Sequence, residues 1–234
     1  MLFIVSNLLF RVAKDARDTA EKEDVNYQPN RILTTFQPLQ NASLSSIVFS
    51  TTSIEAYLNE LTQIMLQPVI LTDSDGVPNG NQPQTPDISG LASTLQDMEQ
   101  KRRPAWQKFD AIRERILGSP YDSTRPPMQD LRMLLRLRND LIHHKPLDEF
   151  EITGLDLNPR ETVKDLENFQ GGRLLAGRDP KVDPFVNIIS SNVMAGWACN
   201  TAFEMISSSI DLIGDAHLKA YLQHEYLKNE FKRP

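Results

Sequence analysis

A chain of 234 residues with 40% hydrophobic content can bury a core as one domain. Its formal net charge of −6 excludes a general nucleic-acid coat, which needs broad basic surfaces, but leaves room for a local basic cleft. A single cysteine, Cys199, excludes an intrachain disulfide and a cysteine-rich zinc site, and favours a reducing compartment, the cytoplasm.

The first element predicted is a helix. Leu2-Phe3-Ile4-Val5 and Leu8-Leu9-Phe10 resemble an anchor segment, but no basic residue precedes them, Arg11 ends the run and the period continues through Val12 and Ala16. A core-facing helix fits better. A polar stretch from Glu21 to Asn30 then leads to a strongly patterned helix from Leu44 to Met65, ended by Pro68. Residues 68–90 read as a long mobile surface loop, because Asp75-Gly76, Asn79-Gly80, Pro78, Pro83 and Pro86 crowd into it.

Two helical pieces follow, Leu91 to Arg103 and Pro104 to Leu117, the second with Trp106, Phe109, Ile112 and Ile116 turned inward. Gly118 and Pro120 stop it. Pro126-Pro127 launches a further helix that begins near Met128 and that Pro146 ends. Residues 147–184 read as an insertion, with a short strand at Phe150 to Thr153, a short helix from Pro159 to Phe169 capped by Asn158, and a turn at Gly171-Gly172. Regular helix resumes from Phe185 to Ile213, and residues 215–234 form a charged, amphipathic tail helix. The expected class is all-α, an antiparallel helical bundle in a single domain.

The Met128 helix carries the most informative residues. Advancing about 100° per residue from Leu134 puts Leu131, Leu137, Leu141 and Ile142 within roughly 80° of it, and Arg138 at about 40°. An arginine cannot lose its proton there, so it requires a snorkelling stem or a dedicated acceptor. Arg132, Arg136, Asn139 and His143 cluster on the opposite, basic and wet face. In the Leu44 helix, Glu55 falls about 60° from Leu58, inside the apolar stripe, and Asn59 at its edge. A carboxylate placed so is costly unless paired. Glu55 and Arg138 are therefore expected to compensate each other, either as a purely structural ion pair or as a pair that also orients Arg138 for chemistry.

Common catalytic motifs are missing. There is no glycine-rich phosphate loop, nucleophile elbow or dinucleotide fingerprint, and His224-Glu225 lacks the second histidine of a zinc protease helix. His217 and His224 read as surface residues of the tail. Arg138 and His143 lie about 140° apart on one straight helix. A site using both needs an arginine reaching round, a distorted last turn, or a second subunit related by a two-fold axis.

The Arg138-Asn139 pair, with four residues between Arg138 and His143, resembles the R-x4-6-H signature of HEPN domains, helical bundles of which many are metal-independent ribonucleases. The phrase from Leu131 to Pro146 fits that family's pattern of leucines, arginine-asparagine and histidine. Ser53 to Leu61 is similar to the acidic helix that often precedes it. Together with the Trp197 helix the resemblance covers about half the chain.

The resemblance implies an RNA 2′-hydroxyl attacking the adjacent phosphate with no metal and no cofactor. His143 acts as general acid or base, Arg138 stabilises charge in the transition state, Asn139 holds the phosphate or the histidine, and His144 assists or substitutes for His143. Glu55 and Asn59 are supporting residues. It also implies a homodimer, an RNA substrate, a toxin or defence setting and an inhibitory protein partner. Two rival expectations stand beside it: a non-catalytic HEPN-like binding or dimerisation module, and an accessory domain of a separate nucleotidyltransferase.

Overall fold

Apolar residues recurring at three- and four-residue spacing give an all-α fold. A computed structural model describes residues 5–25, 37–66, 71–72, 78–79, 86–143, 161–175 and 185–228. In chain order the helices are α1 (Val5–Val25), α2 (Gln37–Leu66), α3 (Pro86–Gln100), α4 (Ala105–Leu117), α5 (Met128–Ile142), α6 (Glu161–Asn168), α7 (Phe185–Ile188), α8 (Asn192–Leu212) and α9 (Ala216–Leu222). A 3-10 turn, Phe169–Leu175, follows α6, and a π-helical turn, Gln223–Lys228, follows α9. Among the described residues no helix is long and apolar enough to cross a membrane.

Several boundaries depart from the periodicity. Helix α2 starts seven residues before Leu44, with Pro38 in its first turn, where no intrahelical donor is required. Helix α3 starts at Pro86, inside the stretch expected to be loop, for the same reason. That stretch also holds a two-stranded antiparallel bridge, β1 (Leu71–Thr72) with β2 (Pro78–Asn79), pairing Leu71 with Asn79 and Thr72 with Pro78. The expected continuous helix from Phe185 to Ile213 is broken after Ile188. There Ser190 Oγ donates to the Val186 carbonyl, and Ser191 Oγ accepts from Met194 N at 3.1 Å, capping α8. Serine side chains compete with the helical ladder and suit a new N-terminus. The strand at Phe150 to Thr153 and the Asn158 cap lie outside the described residues.

The chain divides into two units. One draws on Met1–Leu8, Thr52–Leu131 and Ala202–Arg233; the other on Leu9–Thr51, Arg132–Thr201 and Pro234.

The first unit is centred on the second half of α2. Tyr57 stacks on Phe109 of α4 with ring centroids 6.5 Å apart and meets Tyr226 edge-on at 5.1 Å. Its hydroxyl pairs with Ser209 Oγ at 2.7 Å, which satisfies the polar end of a buried ring. Next to it is a buried carboxylate, Glu60. Glu60 Oε1 accepts from Val5 N at 2.6 Å and Ser6 N at 2.9 Å. Oε2 accepts from Ser6 Oγ and, at 2.8 Å, from the Tyr226 hydroxyl. Glu60 thereby supplies acceptors to two of the free donors at the start of α1 and ties the C-terminal turn to α2.

Helix α3 ends in a tight reversal. Arg103 N donates to Met98 O and Arg102 N to Glu99 O, each at 2.9 Å, which is the six-to-one and five-to-two pattern of a Schellman motif. The left-handed position of that motif, usually glycine, is Arg102, with φ 52°. An arginine there costs about 1 kcal/mol relative to glycine. Pro104 follows and α4 begins at Ala105.

In the second unit the first half of α2 faces α8 through serines. Ser43 Oγ donates to Ser191 O and Ser46 Oγ to Ala195 O, each at 3.0 Å. Ser50 Oγ donates to Cys199 Sγ at 3.6 Å. Small residues every four positions on α8 meet serines every three or four on α2, so the two backbones approach closely. Ala20, Leu39, Ala42 and Ala195 fill the space beside them. Phe169 packs edge-on against Trp197 with centroids 5.7 Å apart, fixing the 3-10 turn on α8.

Candidate functional site

Helix α5 carries the Arg138 motif and starts at Met128, where its pattern predicts, but ends at Ile142, before Pro146. Asp130 lies in its first turn, where the helix dipole favours an acid. The buried stripe is Met128, Leu131, Leu134, Leu135 and Leu137. It ends earlier than the periodicity suggests: Leu141 is only half-buried and Ile142 is 57% exposed. The last turn of α5 rises out of the packed face, so the helical count overstates its burial. Ile116 of α4, also expected inward, is exposed for the same reason, standing at a helix end.

Arg138 is half-buried. Its Nε is below the surface, whereas Nη1 reaches out and donates to Asn139 Oδ1 at 3.0 Å. This is a snorkelling arginine: the stem lies along the apolar stripe and the charged end turns toward the polar face. Asn139 is exposed. His143 is exposed as well, in the turn that closes α5, where its backbone N donates to Asn139 O at 2.9 Å. Arg138, Asn139 and His143 thus share one helix end, linked through Asn139 by a side-chain bond on one side and a backbone bond on the other. His144 lies outside the described residues.

The basic face is not uniformly open. Arg132 is exposed, but Arg136 forms an ion pair with Asp165 of α6, each side chain about 40% exposed. Helix α6 therefore meets α5 at Arg136 while Arg132, Asn139 and His143 remain solvent-accessible. No sequence signal marks Asp165 as the partner, because nothing local relates positions 29 residues apart.

Of the supporting residues, Glu55 is half-buried and Asn59 exposed, one turn apart on α2 in the first unit. The fully packed acid of that helix is Glu60, which a count from Leu58 places on the far side from the apolar stripe. The count assumes one wet face. Around Glu60 the buried face of α2 is wide, taking in Tyr57, Leu58, Leu61, Thr62, Ile64 and Met65 as well as Glu60, while Asn59 and Gln63 stay exposed.

Burial also sets the chemistry of the remaining titratable groups. It pushes the Cys199 thiol up, against hydrogen bonds from Ser46 and Ser50 that lower it, leaving a neutral packing group rather than a nucleophile. Burial raises Tyr226 far above the ordinary phenol range, reinforced by the neighbouring Glu60 charge. Tyr57 is raised in the same way. Comparison with protein-family models, curated proteins and solved structures finds no match for this chain.

Proposed function

We propose that the chain is a metal-independent endoribonuclease of the HEPN type, acting as a homodimer. The observation that carries this reading is the Arg138–Asn139 hydrogen bond, which draws the guanidinium toward the helix face that bears His143. An arginine reaching round its own helix relieves the 140° separation that a straight helix imposes on the motif.

In the proposed reaction the 2′-hydroxyl oxygen of RNA attacks the adjacent phosphorus and the bond to the 5′-oxygen breaks. His143 takes or delivers a proton, Arg138 neutralises charge on the phosphorane-like transition state and Asn139 positions a phosphate oxygen. His144 assists from the next position. The products are a 2′,3′-cyclic phosphate, or its opened form, and a 5′-hydroxyl. A toxin or defence role with an inhibitory protein partner accompanies the proposal by resemblance to the family.

The test is cleavage of RNA in EDTA by wild type, Arg138→Ala and His143→Ala, with end-group analysis of the products. Activity in wild type, lost in both variants and leaving 2′,3′-cyclic ends, is the expected result. Equal cleavage in all three removes the site. Light scattering of the same samples reads the proposed dimer.

A second reading, a non-catalytic HEPN-like module that binds a protein, is favoured by two observations. Ile142 is exposed beside His143, and Asp165 already neutralises one arginine of the basic face. In that case wild type cuts no RNA, and Ile142→Asp disrupts a protein complex instead.

A further inference from the structure

The reversal between α3 and α4 carries Lys101, Arg102 and Arg103 in succession, all exposed, on a chain whose net charge is −6. The acids nearest in sequence are already engaged. Asp97 pairs with Lys101 at 2.8 Å, and Glu99 pairs with the buried Lys108. Among the described residues neither Arg102 nor Arg103 takes part in an ion pair, so the knuckle presents two uncompensated guanidinium groups.

The backbone makes this arrangement less ordinary than a solvated charge run. Arg102 occupies the left-handed position of a Schellman motif, where glycine fits without strain. A side chain kept there against its backbone preference motivates a role for the side chain itself. Left-handed geometry at Arg102 also breaks the helical progression, so Arg102 and Arg103 leave the chain in directions a continuing helix would not provide. The bland alternative is that both cations merely complement the negative end of the α3 dipole. The two accounts disagree on what glycine at position 102 does to stability.

We infer that the Lys101–Arg103 knuckle is a phosphate-binding site that grips the backbone of single-stranded RNA without reading its sequence. This rests on the ribonuclease reading above, since RNA is the substrate proposed for α5. Guanidinium forks match phosphate oxygens in pairs and are weakly hydrated, which suits them better than ammonium groups to this task. Two such contacts contribute about 1.4 to the slope of log affinity against log salt on a single strand.

The experiment uses the full chain and a fluorescein-labelled 20-nucleotide 2′-O-methyl oligouridylate, which lacks the attacking hydroxyl and so survives binding measurements. Anisotropy is followed across a salt series for wild type, Arg102→Gly and the double variant Arg102→Gly/Arg103→Ser, alongside thermal melts. The expected result has three parts. The double variant binds several-fold more weakly, its salt slope falls by about 1.4, and Arg102→Gly alone raises the melting temperature by about 2–4 °C as the backbone strain is relieved.

Unchanged affinity and slope overturn the proposal, and so does a lower melting temperature for Arg102→Gly, which would make the arginine a dipole partner of the fold. Selective loss of binding to a polyglutamate peptide, with RNA binding untouched, also overturns it in favour of an acidic protein partner. Parallel cleavage assays on ordinary RNA separate the two readings. Cleavage by wild type with knuckle-independent binding sinks only the knuckle; knuckle-dependent binding without any cleavage sinks only the nuclease.

Discussion

Arg138 Nη1 donates to Asn139 Oδ1 at 3.0 Å, joining two residues that point to different faces of α5. Asn139 is exposed, so its side chain contributes little to packing. Replacing it with alanine frees the guanidinium to follow its stem away from His143. Under the proposed mechanism, cleavage by Asn139→Ala falls by roughly 10²-fold, the scale expected when one stabilising contact to a developing charge is lost or misplaced. The melting temperature stays within about 2 °C of wild type. Single-turnover cleavage and a thermal melt of the same preparation read both quantities, and undiminished cleavage would remove Asn139 from the site.

Glu60 is the acceptor for four donors, from Val5, Ser6 and Tyr226. Deleting the carboxyl leaves buried donors unpaired, at about 1–3 kcal/mol each. Glu60→Ala is therefore expected to lower unfolding free energy by roughly 3 kcal/mol or more, and Tyr226→Phe by about 2 kcal/mol. Because the two groups share one hydrogen bond, the double variant loses less than the sum. Urea titration of the four proteins gives the coupling, and strict additivity would show that Tyr226 and Glu60 do not act on each other in solution.

Burial raises Tyr57, Tyr226 and Cys199 above their ordinary values, so in the folded protein each keeps its proton at pH values where the unfolded chain has released it. The unfolded state then binds fewer protons and stability falls as pH rises. Their contribution is fully present below the ordinary thiol and phenol range, roughly pH 8.5–10, and declines above it by up to about 1.4 kcal/mol per pH unit for each group. Urea midpoints at pH 7, 9 and 10.5 should drop progressively, with a shallower fall in Tyr226→Phe. A flat profile would mean that these groups are solvated in solution.

The Arg136–Asp165 pair is partly exposed, and such pairs contribute between nothing and about 1 kcal/mol. Asp165→Asn should leave stability within that margin while releasing a positive charge on the α5 face. If that face receives RNA, cleavage at limiting substrate increases and becomes more sensitive to salt. Unaltered cleavage kinetics would separate the α6 contact from substrate binding.

The all-α class, the start of α5 and the split between its leucine stripe and its polar face were legible in the chain, because 3.6-residue periodicity and prolines act locally. Periodicity marked Arg138 as a permanent charge beside leucines but left open whether it snorkels or meets a dedicated acceptor; the structure shows its Nη1 donating to Asn139 Oδ1. Relationships between distant positions, and the burial of a residue from more than one side, follow from packing that periodicity does not encode. Glu60 is buried on the side of α2 that a one-faced helix would leave wet, since Ser6, Tyr226 and the neighbouring side chains close over it. Asp165 reaches Arg136 across 29 positions, and Ser191 interrupts what periodicity reads as one helix because its hydroxyl finds the Met194 amide. Arg102 holds a glycine's position in the α3–α4 reversal, since backbone bonds to Met98 and Glu99 fix a left-handed turn that the run Lys101-Arg102-Arg103 does not announce.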